Sequence, residues 1–355
     1  MADYAYTNAR IRAMEGRLLS WGQYESLLDQ GTLDALVKAL KSSPYARTLE
    51  QVLTALDPTQ LSQTIIRIDE ALRRDLAENL NTLRRFFSDR SHELLNALFL
   101  RWDVYNLKTV LRGKRAAAPV VEILATTFPV GILDDVAVAE LARAPTMQAV
   151  ANLLETWRLP LARPVRTGLN LLGEADALQP LEYELDRFAF AHTSRLAADG
   201  DDNDRAVRDY LQFLVDKANL LTALHYLVER SALSPIEAGR HFLKAGGRFT
   251  RTHYEAVVGA RNLRDGLARL AATPYGWLAD AFLDRETIPL PFVERKLDRL
   301  AIRKAVGLSR PDPLGIGMVI SYIEQKTNEV RNLRMILRGK ALGMQNEQIA
   351  EWVLM

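Results

Sequence analysis

The chain has 355 residues, of which 48% are hydrophobic and 25% are charged, and its formal net charge is only +2. This composition is typical of a soluble helical protein and gives no support for a disordered chain or a basic tail that binds nucleic acid. Cysteine is absent, which excludes disulfides, thiolate metal sites and cysteine nucleophiles and favours a reducing compartment such as the cytoplasm.

The first predicted helix lies near the start of the chain and has two later copies. Residues 30–40 resemble residues 144–154, at an offset of 114, and residues 260–270, at an offset of 230. The tripeptide Ser-Pro-Tyr at 43–45 also returns as Thr-Pro-Tyr at 273–275. Recurrence at matching offsets indicates an internal repeat.

The second predicted helix carries an acid followed three residues later by a leucine, and this pair also recurs. The second copy comes 113 residues after the first, and the third falls one residue short of the same spacing. The three pairs are Asp69 with Leu72, Glu182 with Leu185, and Glu294 with Leu297.

The third predicted helix is long and amphipathic. Apolar residues follow one another at intervals of three and four, as in Leu94, Leu95, Leu98, Trp102 and Tyr105. Similar spacing runs through most of the chain, whereas alternating runs typical of strands are few. The sequence therefore predicts an all-α fold.

This long helix carries the signature that recurs most regularly. An acid stands three residues before an asparagine, and a leucine follows the asparagine. The asparagines lie 113 residues apart (219 − 106 and 332 − 219). The signature acids are Asp103, Asp216 and Glu329, the signature asparagines are Asn106, Asn219 and Asn332, and the signature leucines are Leu107, Leu220 and Leu333.

Equal spacing over such a distance indicates one ancestral segment that was copied twice in tandem. The chain then divides into three helical repeats, residues 1–115, 116–231 and 232–355. Each is longer than the 20 to 50 residues of a solenoid repeat, so we expect each to be a small domain with its own core. The signature leucines are expected in those cores.

A search for catalytic motifs returns none, and neither a cofactor nor a metal site is predicted. The five histidines show no HExxH spacing, and there is no Gly-x-Ser-x-Gly elbow. Gly113-Lys114 and Gly339-Lys340 resemble the end of a phosphate loop. Neither has the preceding glycine or the following serine or threonine that such a loop requires.

The signature acid and asparagine share one face of a helix, because they lie three residues apart. Two interpretations are open. The asparagine satisfies a neighbouring backbone end while the acid pairs with a basic residue of the same domain, or both side chains contact a partner.

Four cations follow two of the signatures and also allow two interpretations. Cations at a helix C-terminus interact favourably with its dipole, and the adjacent glycine would then provide a left-handed exit. Alternatively, these cations bind a partner protein. The four residues are Arg112, Lys114, Arg338 and Lys340.

Taken together, the repeats and three segments resemble a known family. The segments are YAYTNARIR at 4–12, LRWDVYNL at 100–107 and DPLGIGMVISYI at 312–323. The chain resembles, over almost its whole length, the C subunit of bacterial and archaeal V/A-type ATP synthases, which is similar to the d subunit of eukaryotic vacuolar ATPases. The second repeat departs from the pattern, because Leu221 replaces the basic residue found at Lys108 and Arg334.

The resemblance implies a non-catalytic central-stalk subunit of a proton-translocating rotary ATPase. It implies three helical domains around a pseudo-threefold axis, forming a funnel that sits on the proteolipid rotor ring and receives the central stalk. Such a subunit is a monomer within the hetero-complex and is peripheral, at the cytoplasmic face of the plasma membrane. It binds no nucleic acid and spans no membrane; the longest uncharged apolar stretch, 314–323, is about half of what a bilayer requires.

Two alternatives stay open on the sequence alone. A helical scaffold or adaptor unrelated to ATPases would have the same composition and repeats. A ligand-binding helical enzyme would need a deep polar pocket in one repeat that the others lack, and the sequence shows no such asymmetric cluster.

Overall fold

The structure is a computed structural model that describes residues 4–53, 61–172, 178–198, 200–229 and 234–354. Throughout these ranges the regular elements are helices, and no strand occurs in them. The predicted all-α fold is confirmed. The expected boundary between the second and third repeats, at residues 231 and 232, lies outside the described residues.

The chain forms two compact units. Unit 1 comprises Met1–Arg143 and Ala305–Met355, and unit 2 comprises Ala144–Lys304. These units do not test the division into three repeats, which stays a prediction.

Unit 1 is built around the helix Gly317–Ala341 (α18), which packs against Leu61–Arg84 (α5), Tyr4–Glu15 (α1) and Leu33–Leu40 (α3). Its helices are α1 (Tyr4–Glu15), α2 (Trp21–Leu28), α3 (Leu33–Leu40), α4 (Ala46–Leu53), α5 (Leu61–Arg84), α6 (Asp89–Arg115), α7 (Val120–Leu124), α8 (Asp135–Arg143), the end of α17 (Leu290–Leu308), α18 (Gly317–Ala341) and α19 (Asn346–Trp352).

Unit 2 is built around the helix Asp202–Glu229 (α12), which packs against Gln179–Leu196 (α11), Arg251–Val258 (α14) and Leu263–Arg269 (α15). Its helices are α9 (Met147–Thr156), α10 (Ala162–Asn170), α11 (Gln179–Leu196), α12 (Asp202–Glu229), α13 (Pro235–Ala238), α14 (Arg251–Val258), α15 (Leu263–Arg269), α16 (Trp277–Phe282) and most of α17, with 3₁₀ turns at Gly239–His241 and Leu270–Ala272.

The offsets of 114 and 230 found in the sequence begin at equivalent helix starts. Thr32, Thr146 and Asn262 are the N-caps of α3, α9 and α15, and each side chain accepts a hydrogen bond from the backbone N–H three residues later. Such a cap contributes about 1 kcal/mol, because it satisfies one of the free amides of the first turn. The similar segments therefore form similar helices with similar starts.

The signature leucines are buried, with exposed fractions of 0% for Leu107 and Leu220 and 1% for Leu333. In unit 2, Leu220 belongs to a core that also includes Leu224, Tyr254 and Leu297. Burial of one face is what the apolar spacing of these long helices requires.

Gly113 and Gly339 do not form the left-handed exits that were expected, because α6 and α18 continue past them. At these two helix ends, the residues in the left-handed conformation are Ala117 (φ 49°) and Gly343 (φ 69°). In the turns that contain them, the N–H of Ala118 donates to the C=O of Gly113, and the N–H of Met344 donates to the C=O of Gly339, both at 2.9 Å. A Cβ on either glycine would overlap an isoleucine of the next short helix, Ile123 or Ile349. These two glycines therefore permit close helix packing.

Across the described ranges, no helix combines the length and the apolar character needed to cross a bilayer.

Candidate functional site

The signature asparagines lie on α6, α12 and α18, the three longest helices among the described residues, and all three make the same pair of hydrogen bonds. Each side-chain amide donates to the C=O and accepts from the N–H of a single downstream residue. Asn106 binds Phe128 at 2.6 and 2.7 Å. Asn219 binds Leu243 at 3.0 and 2.8 Å, and Asn332 binds Leu354 at 2.8 and 2.9 Å.

The downstream partner lies 22, 24 and 22 residues after the asparagine. All three asparagines are buried, with exposed fractions of 1% or less. Because a buried backbone amide must be paired, each asparagine fixes the segment that follows its helix. This geometry matches the interpretation in which the asparagine satisfies a nearby backbone end.

The signature acids of α6 and α12 bind the next part of the same segments. Asp103 accepts from the N–H groups of Ile132 and Leu133 at 3.1 and 2.9 Å. Asp216 accepts from those of Gly247 and Arg248 at 3.0 and 2.8 Å. One of the two interpretations of the sequence paired the acids with basic side chains; for Asp103 and Asp216, backbone amides bind both oxygens instead.

Burial dominates the electrostatics of Asp103 and raises its pKa to about 6. The hydrogen bonds from Leu133 and Ile132 and the nearby charge of Arg84 act in the opposite direction. The carboxyl therefore titrates in a range where an exposed aspartate is already ionised.

The signature acid of α18 binds a segment far back in the chain. Glu329 accepts from the N–H of Leu19, from Tyr45 Oη at 2.6 Å and from Lys326 Nζ at 2.9 Å. Leu19 precedes Ser20, the N-cap of α2. It therefore occupies, before α2, the place that Leu133 occupies before α8.

A buried ionic cluster surrounds Glu329. Lys326 is 5% exposed, and its Nζ also lies 2.8 Å from Asp75 Oδ2 and 4.3 Å from the centroid of the Tyr45 ring. One cation thus lies between two carboxylates. Removing Lys326 would leave these two buried carboxylates without their cation. At the corresponding positions of α6 and α12 stand Leu100 and Phe213, both buried and apolar.

The tyrosines of the two similar tripeptides bind signature acids, a link that the sequence analysis missed. Tyr45 donates to Glu329, and Tyr275 donates to Asp216 at 3.0 Å. Burial, followed by the charge of the neighbouring acid, raises the pKa of both phenols. The offset of 230 between the tripeptides was the signal that could have revealed this role.

The four candidate partner-binding cations lie in the last turns of α6 and α18. Lys114 Nζ donates to the C=O of Ala142, Lys340 Nζ donates to Asn346 Oδ1 at 2.6 Å, and Arg338 Nη2 lies 3.5 Å from Asp69 Oδ1. Burial lowers the pKa of Lys114. These contacts agree with a role inside the chain, and the partner-binding role of the set, including Arg112, stays a prediction.

Among the residues that the structure describes, no group of three or more His, Asp or Glu side chains is placed to hold a metal ion. The arrangement of acids and asparagines fixes backbone segments, and its carboxylates are directed at amides and buried partners.

Comparisons with known proteins agree with this structural character. The model of the ATP synthase (C/AC39) subunit family matches residues 7–352. The C subunit of the A-type ATP synthase of Thermococcus onnurineus is 30% identical over 99% of this chain and 90% of its own length. The C subunit of the V-type ATP synthase of Thermus thermophilus is 31% identical over 99% and 98%, and that of the A-type enzyme of Methanosarcina mazei is 28% identical over 99% and 92%.

Proposed function

We propose a function for this chain, which belongs to the ATP synthase (C/AC39) subunit family. It is a structural subunit and not a catalytic one. Beyond that, we propose that it is the socket through which the central stalk of a proton-translocating V/A-type ATPase engages the membrane rotor ring. Torque would pass through it in either direction, toward ATP synthesis or toward ion pumping.

The observation that carries the proposal is the shared construction of α6, α12 and α18. Each holds the segment that follows it through one asparagine, and the third also holds the N-terminal segment through Glu329 and Leu19. Three similar repeats in one chain can form a closed set whose inner faces line a socket, as the family resemblance implies. Buried polar contacts that are fully paired also give the stiffness that a torque-bearing part needs.

We propose that its partners are the proteolipid subunits of the ring and the subunits of the central stalk. The net charge of the chain is only +2, so its overall electrostatic field is weak and such contacts depend on local charge. Arg112, Lys114, Arg338 and Lys340 are the candidate contacts. The subunit would lie at the cytoplasmic face of the plasma membrane, as a monomer within the complex.

Paired measurements of ATP hydrolysis and ion transport test the proposal. Membranes are reconstituted with the remaining subunits, with and without this chain. The catalytic head of the ATPase should still hydrolyse ATP when the chain is missing, but hydrolysis should no longer drive ions across the membrane. Ion transport that stays coupled to hydrolysis without the chain would contradict the socket function.

The isolated chain is the second sample. We expect a monomer that neither hydrolyses ATP nor binds it tightly. The alternative of a scaffold unrelated to ATPases loses support, because the family match covers almost the whole chain.

A further inference from the structure

A cleft of about 930 Å³ opens in unit 2 between α10, α11 and residues 237–251. No such asymmetric cluster is evident in the amino-acid sequence. The described residues that line the cleft include two carboxylates, Glu184 and Glu237, and six cations. These cations define what we call the basic cleft: Arg163, Arg187, Arg195, Arg240, Lys244 and Arg251.

The two carboxylates of the basic cleft are already bound by their own chain. Glu184 pairs with Arg187. Glu237 accepts hydrogen bonds from the N–H and the hydroxyl of Ser234, both at 2.8 Å, and these bonds lower its pKa.

Two of the six cations have salt bridges. Arg251 pairs with Glu255, and Arg187 pairs with Glu184. Within the described part of the chain, no carboxylate lies within salt-bridge distance of the other four, which are Arg163, Arg195, Arg240 and Lys244. Their side chains are exposed, so they form a positively charged rim.

The floor of the basic cleft is apolar. Tyr183, Phe188 and Phe242 line it, and Leu171 lies at its side with an exposed fraction of 53%. The hydroxyl of Tyr183 donates to the C=O of Phe242 at 3.0 Å, and this bond leaves the ring to cover the floor. The His241 ring lies 5.3 Å from that of Tyr183, and burial lowers its pKa, which favours the neutral form.

We propose that the basic cleft binds an acidic amphipathic helix of a partner protein. An apolar floor with a cationic rim is complementary to a helix that has one apolar face and acidic flanks, which is the usual mode of binding a helix in a groove. Two turns of helix, about 10 Å wide and about 11 Å long, occupy roughly 850 Å³. The cleft is therefore large enough for such a segment, and its exposed cations suit a protein ligand better than a small molecule enclosed by converging polar groups.

The test uses the isolated full chain, so its result is independent of the proposed socket function. The probe is a fluorescent synthetic peptide of about 20 residues, long enough to form a helix, with leucines on one face and glutamates on the other. A second peptide carries lysine in place of each glutamate. Binding is measured by fluorescence anisotropy.

Two charge-reversed variants of unit 2 are compared, and thermal melts confirm that both are folded. The first is Arg240→Glu with Lys244→Glu in the basic cleft, and the control is Lys296→Glu with Arg303→Glu on α17. The cleft variant should bind the acidic peptide about tenfold more weakly or worse, and the control should change binding by less than about twofold. The lysine peptide should not bind.

A third variant, Leu171→Ser, tests the apolar side of the cleft. It should weaken binding of the acidic peptide with little change in its salt dependence, because no charge is altered. Equal weakening by the cleft variant and its α17 control, or no binding of the acidic peptide, would overturn the proposal. Displacement of the peptide by inorganic triphosphate at lower concentration than by unlabelled peptide would assign the cleft to a small anion and would also overturn it.

Discussion

The carboxylate of Glu329 accepts a hydrogen bond from the backbone N–H of Leu19, a residue 310 positions earlier in the chain. Its other oxygen accepts from Tyr45 and from Lys326. The N-terminal and C-terminal segments of unit 1 therefore meet at one buried carboxylate. Because charge and hydrogen bonds are both buried there, this point should be unusually sensitive to mutation.

Glu329→Ala should destabilise the protein, because the buried N–H of Leu19 and hydroxyl of Tyr45 lose their acceptor while Lys326 keeps Asp75. Each buried donor left unpaired costs about 1–3 kcal/mol. The matched control is Glu347→Ala, an exposed glutamate of α19, which should change stability by less than about 0.5 kcal/mol. Urea denaturation measures both. Equal stability of the two variants would show that the carboxylate contributes nothing to holding the segments together.

Each signature asparagine should contribute to the free energy of unfolding through the backbone groups that it pairs. Asn219→Ala leaves both the N–H and the C=O of Leu243 buried without a partner, and each unpaired group costs about 1–3 kcal/mol. Asn106→Ala and Asn332→Ala should each cost less, because only the N–H of Phe128 or Leu354 loses its partner. The C=O of Phe128 keeps the N–H of Val130 at 2.9 Å, and the C=O of Leu354 keeps Asn328 Nδ2 at 2.8 Å. Asn170→Ala, at an exposed position of α10, is the control. A cost for only one of the three asparagines would contradict their equivalence.

The all-α fold was predictable from the sequence, because apolar spacing determines which face of a helix is buried. The partners of the signature acids were not predictable from that spacing. Periodicity places Asp103 and Glu329 on buried faces, but only the tertiary fold brings Leu133 or Leu19 to them.

The basic cleft was missed for a similar reason. Arg163 on α10, Arg195 on α11 and Lys244 each resemble ordinary solvated charges when the sequence is considered one helix at a time. They become a single feature only when these elements pack. Gly113 illustrates the same difficulty, since the sequence suggested a helix end and the structure has a close contact with Ile123.

Leu333→Ala should cost about 2–5 kcal/mol, because the side chain is 1% exposed and its truncation leaves a cavity. Leu342, one turn beyond Arg338 and 79% exposed, offers a matched control. Leu342→Ala should change the free energy of unfolding by no more than about 0.5 kcal/mol. Thermal melts compare the two, and an unchanged midpoint for Leu333→Ala would be inconsistent with its position in the core.

Asp103 should make stability depend on pH. Its pKa is raised from 3.8 to about 6 in the folded state, so the folded protein binds the proton more tightly than the unfolded chain. The contribution is fully present below pH 3.8 and is lost as the pH rises toward 6, by an amount on the order of 3 kcal/mol.

Asp103→Asn removes this titration, while its other effects do not depend on pH. The stability of the native protein relative to Asp103→Asn should therefore fall between about pH 4 and about pH 7 in urea denaturation. Asn170→Ala, at an exposed position of α10, changes no titrating group and should show no such trend. A difference that is constant or rises with pH would mean that the amides of Ile132 and Leu133 outweigh burial.

The cations at the ends of α6 and α18 are candidate contacts with the partner subunits. If Arg112 and Lys114 contact the ring or the stalk, changing both to Glu should weaken assembly and make the remaining binding less sensitive to salt, because fewer charge pairs are screened. The matched control reverses Lys38 and Lys41, two exposed cations near the end of α3.

Lys114 also donates to Ala142, so its loss could affect folding as well as assembly. A thermal melt and a second variant, Arg112→Gln with Lys114→Met, separate these two effects. Assembly is followed by co-purification of the reconstituted complex at low and high salt. Unchanged assembly of a folded Arg112→Glu, Lys114→Glu variant at both salt concentrations would assign these cations to their helix ends alone.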